Sequence, residues 1–251
     1  MRARFALLAL AGCGAAGCTA GPLDVATLMP TSLTDGLVAH WAFDENFGTF
    51  ADDSSGNGRT GAIAGPGWSW IPGQFGSALH FAGSDYVSVG AFPRATPSYS
   101  VSAWVLIEAS ELGAPIVNLI STETLGGGWA LYQLGAPAVT YDFRYLESAA
   151  GATYEVASCG CVTPGVWTHL AAVVDGDAAT LTLYVNGAAS ATVATPTAIL
   201  PGSSTLYIAR TAALNPSFSL TGSLDDIAIW DRALVPAEVA LLAQAAVPDP
   251  M

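Results

Sequence analysis

Lysine is missing altogether, and the chain of 251 residues carries only seven basic side chains, all of them arginine. Against 20 acidic residues they leave a net charge of −13. Nucleic acid rewards clustered basic residues, so the balance argues against it as a partner. Charged residues make up 11% of the chain and hydrophobic ones 52%, so core material is plentiful and the surface relies on Ser, Thr, Gly and backbone. No apolar run reaches the roughly 20 residues that a membrane-spanning helix needs. No Gly-x-Ser-x-Gly elbow for a nucleophilic serine occurs either.

Present instead are a leader, a tether and a long series of short strands. Met1 to Cys13 reads MRARFALLALAGC, a basic start, a brief apolar stretch and then small residues, which is the pattern of a secretory signal. Its ending, Leu10-Ala11-Gly12-Cys13, resembles the lipobox of bacterial lipoproteins, whose Cys is lipidated and becomes the new N-terminus. That resemblance implies a signal peptide over 1–12, lipidation at Cys13 and a tether over 13–35. The membrane would be reached through the lipid anchor only. Gly14 follows the anchor, which by analogy with enterobacterial sorting implies the outer membrane of a bacterial envelope.

From Gly36 onward apolar and polar residues alternate in short segments bounded by turn residues. Ser98 to Ile107 is one of the longer such segments. Thr180 to Val185 runs into Asn186-Gly187, the dipeptide of a type I′ hairpin turn, with Ala188 to Ala194 as the returning strand. Only Pro236 to Ala246 has helical spacing. The fold class is therefore all-β: one two-sheet antiparallel β-sandwich over 36–246 with a short C-terminal helix, followed by a tail over 247–251.

Trp41 to Gly61 holds the densest group of oxygen ligands. Asp53-Ser-Ser-Gly-Asn57-Gly58 has oxygen-bearing side chains at its first, third and fifth positions and Gly at its sixth, the opening half of a calcium loop. The second half is missing, since the twelfth position is Ala64. A polar turn without metal is the alternative.

Six segments in order resemble laminin-G-like domains of the concanavalin A-like fold. They are Trp41-Ala-Phe-Asp, the Asp53–Gly58 loop, Gly76-Ser-Ala-Leu-His-Phe-Ala-Gly, Ser100-Val-Ser-Ala-Trp-Val, Trp167-Thr-His-Leu-Ala with Leu183-Tyr-Val-Asn-Gly, and Gly222-Ser-Leu-Asp-Asp-Ile-Ala-Ile-Trp. The resemblance implies a jelly roll and, in many members, a structural Ca²⁺. Its ligands here would be Asp44, Asp53, Asn57 and one of Asp225 and Asp226, since neighbours on a strand point to opposite faces. The fold's laminarinase-like enzymes carry Glu-x-Asp-x-x-Glu on one strand, and that triplet is missing, so no catalytic residue is expected.

Trp68, Trp70 and Trp129 flank Gly-rich or Pro-rich turns, where they either stack on sugar rings or plug the ends of the sandwich. Trp41, Trp104, Trp167 and Trp230 fit core positions, His169 a structural one, and His40 and His80 exposed strand positions. Cys159 and Cys161 are the candidates for a disulfide, provided Gly160 turns the chain, because extended residues two apart reach the ~7 Å Cα limit. Cys18 is then left over. The expected function is a non-catalytic, surface-tethered module binding carbohydrate or another extracellular polymer. The alternatives are a structural or adhesion lipoprotein that binds an extracellular protein, and a hydrolase with two carboxylates in a groove.

Overall fold

Period-two patterning governs nearly every element of the structure, a computed structural model that describes residues 33–93, 97–114, 116–124, 127–135, 139–146, 153–158, 160, 162–195, 203–211 and 218–250. In chain order the strands are β1 (Leu37–Trp41), β2 (Phe50–Ala51), β3 (Gly61–Ala64), β4 (Ser69–Pro72), β5 (Ser77–Ala82) and β6 (Tyr86–Pro93). Then come β7 (Tyr99–Ile107), β8 (Ile116–Ser121), β9 (Gly128–Leu134), β10 (Thr140–Leu146) and β11 (Thr153–Ala157). The last are β12 (Thr168–Asp175), β13 (Thr180–Val185), β14 (Ala188–Ala194), β15 (Ser203–Ile208) and β16 (Thr221–Trp230), before helix α1 (Pro236–Leu242).

All pairings between these strands are antiparallel. The first sheet runs β14-β13-β12-β7-β16-β5-β4, with β1 also on β16, and the second runs β11-β10-β9-β8-β15-β6-β3-β2. The expected two-sheet sandwich is what the chain forms. Between the sheets lies one apolar cluster that includes Trp41, Phe81, Val101, Leu119, Trp129, Phe143, Leu183 and Ile227.

The two outer faces differ. A second cluster joins Leu33, Leu37, Ala171, Val173, Tyr184, Trp230 and the α1 residues Val239 and Leu242, so the helix and the entering chain cover the outer face of the first sheet. Pro236 opens the helix, where a missing N–H costs nothing. Glu238 accepts from Val235 N at 2.9 Å and pairs with Arg232 at 2.7 Å. The helix ends at Leu242, short of the expected Ala246, because Val247 N turns away to donate to Asp226 Oδ2 at 3.0 Å. Asn186 (φ 50°) and Gly187 (φ 79°) form the expected hairpin turn. A Cβ at Gly187 would lie 3.1 Å from Ala240 Cα, so glycine also lets the turn press on α1.

Candidate functional site

A bulge in β16 decides where the two C-terminal carboxylates go. Register is lost between Asp225 and Ala228, and Asp226 takes a φ of 47°. Asp225 Oδ2 accepts from Phe75 N at 2.9 Å, in the turn between β4 and β5. Asp226 Oδ1 meets His40 Nε2 at 2.7 Å, so His40, expected to be exposed, is 1% exposed and tied to that carboxylate.

The expected calcium ligands fall into separate groups. Asp53 Oδ1 accepts from His40 N and Ser55 N, each at 3.0 Å, and Oδ2 from Arg59 N at 2.8 Å. Burial works to raise the Asp53 carboxyl, but Ser55 and these backbone donors outweigh it and hold it below the usual range. Asn57 Nδ2 donates to Leu37 O at 2.9 Å and Val38 O at 3.1 Å. Asp53 and Asn57 thus work as a polar clasp of the loop on β1. Among the described residues no three His, Cys, Asp or Glu side chains form a metal-sized group. Asp44 and Asp225 do flank one turn: Asp44 Oδ1 accepts from Ser77 N at 2.7 Å, and Asp225 Oδ1 is buried without a partner. Burial, first of all, pushes the Asp225 carboxyl up to about 7, and the charge of Asp226 adds to it.

The three tryptophans separate as well. Trp129 is 1% exposed and lies against Tyr99 and Phe143 in the core, so it is no sugar platform. Trp68 and Trp70 are half-buried at the β4 edge, edge-to-face at 6.3 Å, with Trp70 also against Phe43 at 6.5 Å. They pack on the core more than they face solvent. Trp41 and Trp230 are fully buried, Trp104 is buried, and Trp167 is half-buried. His169 is fully buried beside Ser102, a structural residue as expected. Cys13, Cys18, Cys159 and Cys161 lie outside the described residues.

What patterning alone did not assemble is the outer face of the second sheet. Directly paired residues share a face. Following the register gives one continuous row: Phe50–Ala62–Ser88–Tyr207–Ser121–Ala130–Arg144–Glu155. Small residues floor its middle, while aromatic and charged groups rise at either side. On one side the Arg210 guanidinium lies 4.1 Å from the Tyr86 ring centre and 5.3 Å from that of Tyr207. On the other, Arg144 sits over Tyr132 at 5.1 Å and donates to both Glu123 oxygens at 3.0 and 2.8 Å.

Tyr132 Oη donates to Glu155 Oε1, and Thr140 Oγ1 donates to Asp142 Oδ2 at 2.5 Å. Burial pushes the Asp142 carboxyl up to about 6; Thr140 opposes this and the charge of Glu155 reinforces it. In β10 the alternation Tyr141, Asp142, Phe143, Arg144 was the legible signal, with aromatics inward and charges outward. At about 4.8 Å per strand, seven spacings make the row roughly 34 Å long. On this face Ser121, Ala130, Tyr132 and Asp142 are buried, so the rings and polar groups within reach of a ligand lie toward its two sides, at Tyr86, Tyr207, Arg144 and Glu155.

Solved structures of low sequence identity share the sandwich. Domain 4 of AbnA, a GH43 extracellular arabinanase from Geobacillus stearothermophilus, in complex with arabinotriose, matches with a TM-score of 0.66 and 24% identity, over 83% of this chain and 98% of that one. The binding domain of Paraclostridial Mosquitocidal Protein 1 matches at 0.65 and 18% identity, over 84% and 52% of the two chains. A botulinum neurotoxin type C structure, described by interaction with two ganglioside molecules, matches at 0.64 and 14%, over 85% and 52%. This chain thus spans about half the length of the two toxin structures. At these identities the likeness is one of fold. A search of curated protein sequences gave no match. The profile of the concanavalin A-like lectin/glucanases superfamily matches residues 81–240, and the chain belongs to that family.

Proposed function

We propose that this protein is a bacterial envelope lipoprotein, anchored through Cys13, whose sandwich is a non-catalytic module for an extracellular carbohydrate chain. The carrying observation is the row across the second sheet. A sugar polymer presents alternating apolar faces and hydroxyl edges, and Tyr207, Arg144 and Glu155 along the row, with Tyr86 beside it, offer the matching chemistry. Arabinotriose and gangliosides, the ligands named for two of the similar structures, support this substrate class. The non-catalytic reading rests on how the carboxylates are used. Asp142 is 1% exposed and held by Thr140, and Glu155 is engaged by Tyr132, so both serve the framework of the face.

A structural Ca²⁺ is a further part of the proposal. The residues that would hold it are Asp44 and Asp225, and the fit rests on the orphaned Asp225 Oδ1 beside their shared turn. The ion would supply positive charge to a buried carboxylate that has none. Asp53, Asn57 and Asp226 stay with the hydrogen bonds described above.

The test is a glycan array with the mature chain carrying Cys13→Ser. Binding to at least one polysaccharide, lost in Arg144→Ala and Tyr207→Ala and leaving the polymer length unchanged, is the expected result. Shortened products would identify a hydrolase. Binding that survives both substitutions removes the sheet face from the proposal.

A further inference from the structure

At the Tyr207 side of the row one cation is held differently from the others. Arg144 and Arg232 each pair with a carboxylate, and Arg59 Nε donates to Val38 O at 3.2 Å. Arg210 does neither: among the described residues its guanidinium has no carboxylate or carbonyl partner. That is unexpected in a chain whose acidic residues outnumber its basic ones by 20 to seven. Two rings hold it instead. The guanidinium lies 4.1 Å from the Tyr86 ring centre and 5.3 Å from that of Tyr207, and the rings meet edge to face at 5.9 Å. All three side chains are half-buried, so each keeps a part open to solvent. Asp85, the acid next to Tyr86, is fully buried and spends its oxygens on Gly67 N and Ala82 N, both at 2.8 Å. Neither the Tyr86 nor the Tyr207 hydroxyl has a hydrogen-bond partner among the described residues.

The chemistry of this corner specifies a ligand. A guanidinium stacked on a ring keeps its edge N–H groups free, and their fork matches the two oxygens of a carboxylate. Stacking also fixes the group beforehand, which cuts the ordering cost of binding. The far side of the row has the opposite sign, with Glu123 bonded to Arg144 and Glu155 paired with it in register, two carboxylates to one guanidinium. Glu155 is four strand spacings from Tyr207, roughly 19 Å. A polymer acidic along its whole length would meet those carboxylates and a net charge of −13. We propose, on the reading that the second sheet binds a glycan, that Arg210 makes the site specific for a chain bearing a single uronate. The uronate carboxylate accepts two N–H groups of Arg210, leaving the Tyr86 and Tyr207 hydroxyls for sugar hydroxyls. Neutral residues of the same chain run across the row toward Arg144.

The experiment titrates the Cys13→Ser chain, at neutral pH and low salt, with oligosaccharides that carry one glucuronate or one galacturonate. Each is paired with its uncharged methyl ester, and trigalacturonate is the fully acidic probe. At least one singly acidic compound should bind about tenfold or more tightly than its ester, and more tightly than trigalacturonate. Arg210→Gln should bring the ratio of acid to ester affinity to about one at an unchanged melting temperature. Arg210→Lys, which keeps the charge without the fork, should lower that ratio about threefold and serves alone if the Gln variant fails to fold. Acid and ester binding equally to the wild type, with both lost in Tyr207→Ala, would leave the sheet as a glycan site and end the uronate assignment. A preference for the acid that survives both Arg210 substitutions overturns the proposal, as does tighter binding of a sulfated counterpart. Binding of no compound at all would remove the sheet-face reading and this inference with it.

Discussion

Acid should unfold this protein in part through one histidine. His169 is fully buried in β12, its Nε2 2.9 Å from Ser102 Oγ and its ring 5.3 Å from that of Trp104. Burial lowers its pKa to about 3, whereas the unfolded chain titrates near 6.5. Between those values the unfolded state binds the extra proton, so stability falls as pH falls and is restored as pH rises. Moving from the unfolded to the folded value corresponds to roughly 5 kcal/mol, of which about 3 kcal/mol lies between pH 7 and pH 4.

His169→Gln keeps a polar group for Ser102 and removes the titration. Urea denaturation at pH 7 and pH 4 should show the wild type losing about 3 kcal/mol more than the variant between the two conditions. Asp53, whose carboxyl is also lowered, contributes equally to both proteins and cancels in the comparison. If the two proteins lose the same stability, the buried neutral histidine is not what acid attacks.

Cys13→Ser should move the protein from the membrane fraction to the soluble one; an unaltered membrane-bound product would dispose of the lipid anchor. Calcium should raise the melting temperature by an amount that grows with free ion. Asp225→Ala should abolish that gain, while Asp53→Ala, at a residue whose oxygens are spent on the backbone, should preserve it. No response to EDTA sinks the calcium site. Trp129→Ala should cost about 3–5 kcal/mol as a core truncation. Weakened glycan binding at unchanged stability would instead return Trp129 to the surface.

The sandwich was legible because its signals are local. Alternation fixed the strands, Asn186-Gly187 fixed a turn, and Pro236 with Glu238 fixed the start of α1. The candidate face was not, because it depends on register between strands far apart in the chain: Phe50 and Glu155 share a row only after eight strands have paired. Alternation also failed at Asp225 and Asp226, where one added residue in β16 buries both carboxylates and sends them to different partners. The burial of His40 escapes alternation because its partner Asp226 lies 186 residues away. The exposure of a tryptophan beside a glycine-rich turn is likewise a tertiary property. Trp129 starts the inward-facing set of β9, whereas the exposed rings prove to be Phe47 and Phe50.

The chain enters the domain at Leu33, whose carbonyl accepts from Trp230 Nε1 at 2.7 Å, and Leu33 packs with α1 on the outer side of the first sheet. Val247, at the far end of the chain, is held in the same cluster. The candidate binding row lies on the outer side of the other sheet, about 10 Å further through the sandwich. Leu33 and Val247 therefore share one side of the domain, and the row of Tyr207 and Arg144 lies on the opposite side.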